Sequence, residues 1–165
     1  MLLLLSAATA RQSSNKVTTS THVMNRETMM KLNPYLTFHG NAREAFEFYA
    51  KVLRGKIVMM LTNGETPMRD QCSPGGLDRI AHTRLIIGDQ VLMASDAPEG
   101  MVCETQGMMV SLNVDTPAEA ERIYKELSNG GKITMALAET FWSKAFAMFT
   151  DRFGIPWMVN CEKPM

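Results

Sequence analysis

The sequence predicts an α+β fold built from two copies of a βαβββ module, and an internal repeat is the main observation behind this prediction. The segment Asn41–Tyr49 has a counterpart in Thr116–Tyr124, at an offset of 75 residues. Each segment combines a helix-capping pattern with an apolar stripe at helical spacing. The tripeptide Gly55–Ile57 then reappears as Gly131–Ile133, one residue later in register. These agreements, together with β-like runs around each helix, predict a duplicated module.

Each predicted helix has signals for its start and its stop. Asn41 with Glu44, and Thr116 with Glu119, have the spacing of a capping box, in which side chains satisfy the free N–H groups of the first turn. The glycines of the repeated tripeptide follow the last apolar residue of each stripe, where glycine commonly ends a helix. We therefore expect two helices with equivalent places in the two modules.

Short strands are predicted before and after each helix. A four-stranded sheet with a helix on one face leaves its other face uncovered. We therefore expect the two sheets to form an incomplete barrel with a cup between them, where pockets commonly lie. The predicted strands are Tyr35–Phe38, Lys56–Leu61, Ile80–Ile87 and Gln90–Ser95 in the first module, and Met109–Val114, Lys132–Leu137, Ala145–Thr150 and Pro156–Cys161 in the second.

The repeat sets the expected domain limits. Residues 30–162 form a single domain, with module one at about 30–100 and module two at about 107–162. Residues 1–29 are expected to be a disordered tail or an over-extended start, because Arg11–Glu27 is rich in Ser, Thr and Asn and has no periodicity. Met1–Ala10 imitates a signal peptide but lacks a basic first region, so secretion is the less favoured alternative.

Composition excludes several classes of partner. Seventeen basic residues balance seventeen acidic ones, so no overall charge favours nucleic acid or an anionic membrane. The longest apolar run is too short to span a bilayer. The three cysteines have no paired spacing and are expected to be reduced thiols in a cytoplasmic protein. The fifteen methionines fill a core or hint at a soft apolar pocket.

Four segments carry a resemblance to a known family. They are Asn33–Asn41, Val91–Pro98, Glu139–Trp142 and Thr150–Met158. Together they resemble the characteristic blocks of PhnB-like proteins, which belong to the glyoxalase/bleomycin-resistance superfamily, also called the vicinal oxygen chelate (VOC) superfamily. The resemblance covers about residues 30–162. It implies the glyoxalase/VOC fold, a homodimer, and a cup-shaped site for a small-molecule ligand.

The resemblance also implies where a divalent metal would bind, because metal-dependent relatives use His, Glu or Gln from strands of both modules. Those positions fall here on Pro34, Met109 and Met158, and on Leu92 or Met93. None of these side chains suits a hard or borderline divalent metal, since thioethers are soft and weak ligands. Neither a metal nor a cofactor is therefore expected.

PhnB-like proteins often carry the label 3-demethylubiquinone 3-methyltransferase, and the sequence gives that label little support. Methyl transfer from S-adenosylmethionine commonly relies on a glycine-rich turn after a first parallel strand. The glycine pairs here, Gly75-Gly76 and Gly130-Gly131, stand in a loop and at a helix end. We therefore expect a different function.

The candidate catalytic residues are His82 and Glu139. Strand alternation places His82 and Arg84 on one face, where they suit an anionic ligand or a proton shuttle. The alternative is a hydrogen-bonded histidine and an arginine salt-bridged at the sheet edge.

Glu139 beside an aromatic pair is expected to have a raised pKa and to act as a general base. Alternatively, Glu139 caps a turn while the aromatic rings plug the core. The residues expected to bind the ligand are Tyr35, Thr37, Arg84, Met93, Ser95, Phe141, Trp142 and Trp157.

Other polar features are expected to be structural. Ser95-Asp96 and Asp151-Arg152 stand at strand ends and look like turn or salt-bridge devices. The long connection Thr62–Asp78 is expected to act as a lid, to reach a partner subunit, or to stay mobile.

The leading hypothesis is a small-molecule-binding homodimer without the usual metal of the superfamily, and whether it catalyses a reaction is left open. The rival is a metal-dependent lyase, isomerase or dioxygenase of the glyoxalase type, with His82 and Glu139 among its ligands. A third hypothesis is a structural dimer without a ligand. Neither nucleic acid nor a membrane is an expected partner.

Overall fold

Two βαβββ units follow one another along the chain, which confirms the predicted order of elements. The computed structural model describes residues 30–67, 69–101 and 106–164, so the tail predicted for residues 1–29 lies outside the described residues. Each predicted strand is present, with ends that shift by two residues at most. Module one contains β1 (Tyr35–Phe38), α1 (Ala42–Val52), β2 (Lys56–Thr62), β3 (Ile80–Ile87) and β4 (Gln90–Asp96), and module two contains β5 (Val110–Asn113), α2 (Pro117–Leu127), β6 (Lys132–Ala138), β7 (Ser143–Thr150) and β8 (Pro156–Glu162).

The strands form two separate four-stranded sheets. The order is β1-β4-β3-β2 in sheet one and β5-β8-β7-β6 in sheet two. In both sheets the outer pair, β1 with β4 or β5 with β8, is parallel, and the other pairs are antiparallel. Within the described ranges no strand pairing joins the two sheets, so the barrel is incomplete, as predicted.

Each sheet buries one face and leaves the other open. In β3 the side chains of Thr83 and Leu85 are buried, and in β7 those of Ala145, Ala147 and Phe149 are buried. Leu85, the three side chains of β7 and the buried side chains of both helices belong to one apolar cluster. We call the opposite side of each sheet its open face. The open face of sheet one includes Tyr35, Thr37, Lys56, Met59, Leu61, His82, Arg84, Ile86, Val91, Met93 and Ser95, and that of sheet two includes Ser111, Asn113, Met135, Phe146, Met148, Met158 and Asn160.

A buried carboxylate ties module two to the helix of module one. Asp151, in the turn between β7 and β8, is 4% exposed. Its Oδ2 accepts hydrogen bonds from the hydroxyl of Tyr49 on α1 and, at 2.8 Å, from Nε1 of Trp157. Its Oδ1 accepts from the backbone N–H groups of Phe153 and Ile155, both at 2.9 Å, which confirms the predicted turn role. Burial raises the pKa of Tyr49, and the charge of Asp151 raises it further, so the phenol stays a donor.

The two helices start with different capping groups. Thr116 accepts from the backbone N–H of Glu119 at 3.2 Å, as predicted. The predicted cap of α1 is wrong, because the side chain of Asn41 makes no capping hydrogen bond. Asp96 at the end of β4 takes its place: Oδ1 accepts from the N–H groups of Gly40 and Ala42 at 2.9 and 3.0 Å, and Oδ2 accepts from Ile80 at 2.7 Å. A cap supplied by another strand leaves no local pattern.

The repeated glycines are needed where the chain enters β2 and β6. A Cβ atom at Gly55 would lie 2.8 Å from the carbonyl oxygen of Ile86, and one at Gly131 would lie 2.1 Å from that of Thr150. The left-handed residue that ends each helix is the one before, Arg54 with φ 52° and Gly130 with φ 77°. The repeat therefore preserves a close backbone approach as well as a helix stop.

Both helices are short. Each has 11 residues, and no helix in the described part of the chain is long and apolar enough to cross a bilayer.

We predict that Tyr49→Phe destabilises the protein by about 2 kcal/mol, because a buried carboxylate loses a hydrogen-bond donor. The matched control is Tyr124→Phe, at the repeat-equivalent position of α2, where the hydroxyl has no hydrogen-bond partner among the described residues. Its unfolding free energy should change by less than about 0.5 kcal/mol. Urea unfolding measures both, and equal effects would show that the link between Tyr49 and Asp151 does not stabilise the fold.

A second prediction concerns the cap of α1. Asp96→Ala removes the acceptor of three backbone N–H groups and should cost about 2 kcal/mol of unfolding free energy. Asn41→Ala should cost less than about 0.5 kcal/mol, although Asn41 is the residue whose type and position suggest a cap. If thermal and urea unfolding rank the two variants in the opposite order, the assignment of Asp96 as the cap is refuted.

Candidate functional site

The open face of sheet one brings together six of the residues predicted from sequence. The register pairs Tyr35 with Met93 and Thr37 with Ser95, and it pairs Arg84 with Met93. His82 lies on the same face as Arg84, because the two are separated by one residue of β3. Three strands, β1, β3 and β4, therefore present aromatic, hydroxyl, thioether and basic groups on one surface.

His82 is oriented by an aromatic neighbour. Its ring stacks on that of Tyr35, with centroids 5.7 Å apart and an angle of 24° between the planes. The hydroxyl of Tyr35 lies 3.3 Å from Nδ1 of His82, within hydrogen-bond distance. Nε2 has no partner among the described residues, so this nitrogen is the one that a ligand can reach.

Arg84 lies in the middle of the sheet rather than at its edge. It pairs with Met59 of β2 on one side and with Met93 of β4 on the other. No carboxylate within the described ranges forms an ion pair with Arg84, so the alternative of a salt-bridged arginine at a sheet edge is wrong. Arg84 is exposed, and its cross-strand neighbours on both sides are methionines.

The open face of sheet two carries a polar group that sequence reasoning missed. Nδ2 of Asn160 donates to Oδ1 of Asn113 at 3.1 Å. Oδ1 of Asn160 is buried and has no hydrogen-bond partner among the described residues. Strand alternation along the predicted strands β5 and β8 was the signal that would have found this pair, since both strands carry the asparagine on the face opposite Val159.

Glu139 lies in the turn between β6 and β7, away from His82. Its Oε1 is 2.7 Å from Nζ of Lys163, which also donates to the carbonyl of Thr140. The hydrogen bond and charge of Lys163 hold the pKa of Glu139 below its ordinary value. The expected raised pKa is therefore wrong, and no contact in the described structure joins Glu139 to His82. Its catalytic role stays a prediction from sequence.

The aromatic pair beside Glu139 is on the surface. Phe141 is 89% exposed and Trp142 is 45% exposed, so the alternative that both rings plug the core is wrong. The two rings form an edge-to-face pair with centroids 4.4 Å apart. Trp142 also contacts Phe146 at 5.7 Å, which places the pair beside the open face of sheet two. Aromatic rings in this position suit an apolar ligand or a partner surface.

Trp157, the last of the predicted ligand-binding residues, is a core side chain. It is fully buried on the helix-covered face of sheet two and is held there by Asp151. It also lines a cavity of about 630 Å³ bounded by β5, α2 and the β3–β4 hairpin. A ligand on the open faces does not reach it, so a ligand-binding role for Trp157 stays a prediction.

The donor set does not fit a divalent metal. Of the two positions considered in β4, Met93 lies on the open face and Leu92 is buried on the other side. The remaining positions hold Pro34, Met109 and Met158. Across the described residues, no group of three or more His, Cys, Asp or Glu side chains is close enough to hold a metal ion.

The chain is similar to known proteins over most of its length. Residues 30–160 match a family model described as 3-demethylubiquinone-9 3-methyltransferase. Protein YjdN of Escherichia coli (strain K12) is 35% identical over 142 residues, which cover 81% of this chain and 97% of YjdN. The crystal structure of protein PA1353 from Pseudomonas aeruginosa is 44% identical, covers 82% of this chain and 100% of its own, and superposes with a TM-score of 0.77.

A more distant similarity concerns the fold alone. A glyoxylase/bleomycin resistance protein/dioxygenase domain from Frankia sp. EAN1pec is 13% identical and superposes with a TM-score of 0.59, over 82% of this chain and 100% of its own. Its similarity supports the paired βαβββ architecture.

Proposed function

The chain belongs to the family described as 3-demethylubiquinone-9 3-methyltransferase, a PhnB-like family with the glyoxalase/VOC fold, and from this premise we propose that it is a small-molecule-binding homodimer that works without the usual metal of the superfamily. The observation that carries the proposal is the open face of sheet one. There the apolar side chains of Met59, Leu61 and Met93 lie on the same face as a few polar groups, Thr37, His82 and Arg84. Ligand sites have this composition, mostly apolar with a few polar groups that orient the ligand.

Exposed apolar side chains support the homodimer. On the edge strands β2 and β6, four apolar side chains are exposed: Val58 by 46%, Leu61 by 39%, Ile133 by 51% and Met135 by 36%. Apolar surface repeated on adjacent strands commonly marks an interaction site. At the other end of each sheet, β1 and β5 are edge strands with no further strand beside them in the described structure. A second copy of the chain would cover both kinds of surface.

Methyl transfer is not the proposed activity, although it stands in the description of the family. A nucleotide cofactor commonly uses free N–H groups at the start of a helix after a glycine-rich turn. The turn before α1 contains one glycine, Gly40, and the carboxylate of Asp96 already binds the N–H groups there. The turn before α2 contains no glycine, and Thr116 caps that helix.

We expect a thermal-shift panel of neutral, aromatic and anionic metabolites to include compounds that raise the melting temperature, because a ligand that binds only the folded state stabilises it. Thr37→Trp should abolish the shift by filling the open face of sheet one. The control Lys125→Trp adds the same ring to the exposed side of α2 and should leave the shift unchanged. If no compound stabilises the protein at millimolar concentration, the binding proposal fails.

Light scattering at micromolar concentration should give the mass of a dimer. A monomer would contradict the homodimer.

Protein purified without chelator should contain less than stoichiometric metal. Stoichiometric Ni, Zn, Fe or Mn that is lost in His82→Ala, but kept in the control His39→Ala at the exposed β1–α1 turn, would contradict the metal-free function.

A further inference from the structure

Arg84 differs from the other arginines of the described ranges because it alone has no polar partner there. Arg54, Arg69, Arg122 and Arg152 form ion pairs with carboxylates. Arg79 donates to the carbonyl of Ala97 and Arg43 to the sulfur of Met60. Since a guanidinium satisfies its five donors wherever the surroundings allow, the donors of Arg84 are free for a ligand.

No acidic side chain compensates the charge of Arg84 on its own face. The residues of the open face of sheet one include no aspartate or glutamate. The carboxylate at the end of β4, Asp96, is already bound to three backbone N–H groups at the start of α1 and β3. The guanidinium of Arg84 is therefore uncompensated by any acidic side chain on this face, and the exposed Lys56, which pairs with Ile86, adds a second positive charge, so the face favours an anion.

The duplicated module supplies an internal comparison. In sheet one, Arg84 lies between Met59 and Met93. In sheet two, Met148 lies between Met135 and Met158 in the same arrangement of strands. The flanking methionines are the same in both sheets. The guanidinium of Arg84 in module one therefore stands where module two has the thioether of Met148. The fold accepts methionine at this position, so the arginine is not required by packing.

The chemistry of the ligand follows from this placement. A planar guanidinium binds a carboxylate with two parallel hydrogen bonds. The flanking thioethers of Met59 and Met93 suit an apolar body. His82 is two residues away, about 7 Å along the same strand, and its Nε2 would meet a second polar atom of the ligand.

We propose that the ligand of the open face of sheet one is a carboxylate with an apolar body, and that its carboxylate binds the guanidinium of Arg84. This inference rests on the proposed small-molecule binding and names the class of molecule bound at that site.

The test compares three probes of similar shape: phenylacetate, the neutral 2-phenylethanol and phenyl phosphate. Calorimetry or ligand-observed NMR on the full chain should show that phenylacetate binds more tightly than the other two. Arg84→Met, which recreates the row of module two, should weaken phenylacetate binding at least about tenfold and leave 2-phenylethanol unchanged. Arg84→Lys keeps the charge without the planar fork and should lose about threefold to tenfold.

Arg69→Met is the matched control, because it removes an exposed arginine from the β2–β3 connection and should change the affinity by less than about twofold. Melting curves confirm that each variant is folded, and Arg84→Lys remains as a test if Arg84→Met is not. The proposal is overturned if phenylacetate binds with the same affinity to the Arg84 variants, or if phenyl phosphate binds more tightly than phenylacetate. Binding of 2-phenylethanol alone would overturn the carboxylate but keep the proposed function, and binding of no probe at millimolar concentration would overturn both.

Discussion

The buried carboxylate of Asp151 is the constraint on which the arrangement of the two modules depends. A carboxylate removed from water is costly unless donors surround it, and this one accepts four hydrogen bonds. Three donors come from its own module, and the fourth, the hydroxyl of Tyr49, comes from α1 of the other. The ring of Tyr49 also contacts those of Phe38 and Trp157, at 6.5 and 5.2 Å. Apolar packing brings the modules together, and the carboxylate specifies one relative position.

Because the helix-covered faces of both sheets pack into one core, the two open faces are the surfaces that remain available for binding. The sheets are duplicates in topology but differ in chemistry. Sheet one carries the stacked pair of Tyr35 and His82 and the free guanidinium of Arg84, whereas sheet two carries methionines and the pair of Asn113 and Asn160. Duplication of the module thus preserved the framework while each open face acquired its own set of polar groups.

The candidate site could be predicted from sequence where strand alternation decides it. The six residues predicted in β1, β3 and β4 share one face because each lies at the right parity in a strand whose limits were predicted well. Glu139 and Trp157 show where this reasoning ends. The pKa of Glu139 depends on Lys163, 24 residues later in the chain, and the burial of Trp157 depends on Asp151 and Tyr49. Lys163 and Tyr49 are distant in sequence from the residues they contact, and such partners leave no local pattern in the sequence.

The sequence by itself determined the duplicated βαβββ order, both helices and the strands, because capping residues, apolar periodicity and turn residues act within a few positions of the chain. At the positions where the resemblance implies metal ligands the sequence has Pro34, Met109, Met158 and Leu92 or Met93, and on their chemistry no metal is expected. Only the tertiary structure decided that Asp96 rather than Asn41 caps α1, that Arg84 has no counter-ion in the described structure, and that Phe141 and Trp142 face solvent. Each of these outcomes depends on contacts between strands and turns that are far apart in the chain, and such contacts exist only once the sheets and helices have packed.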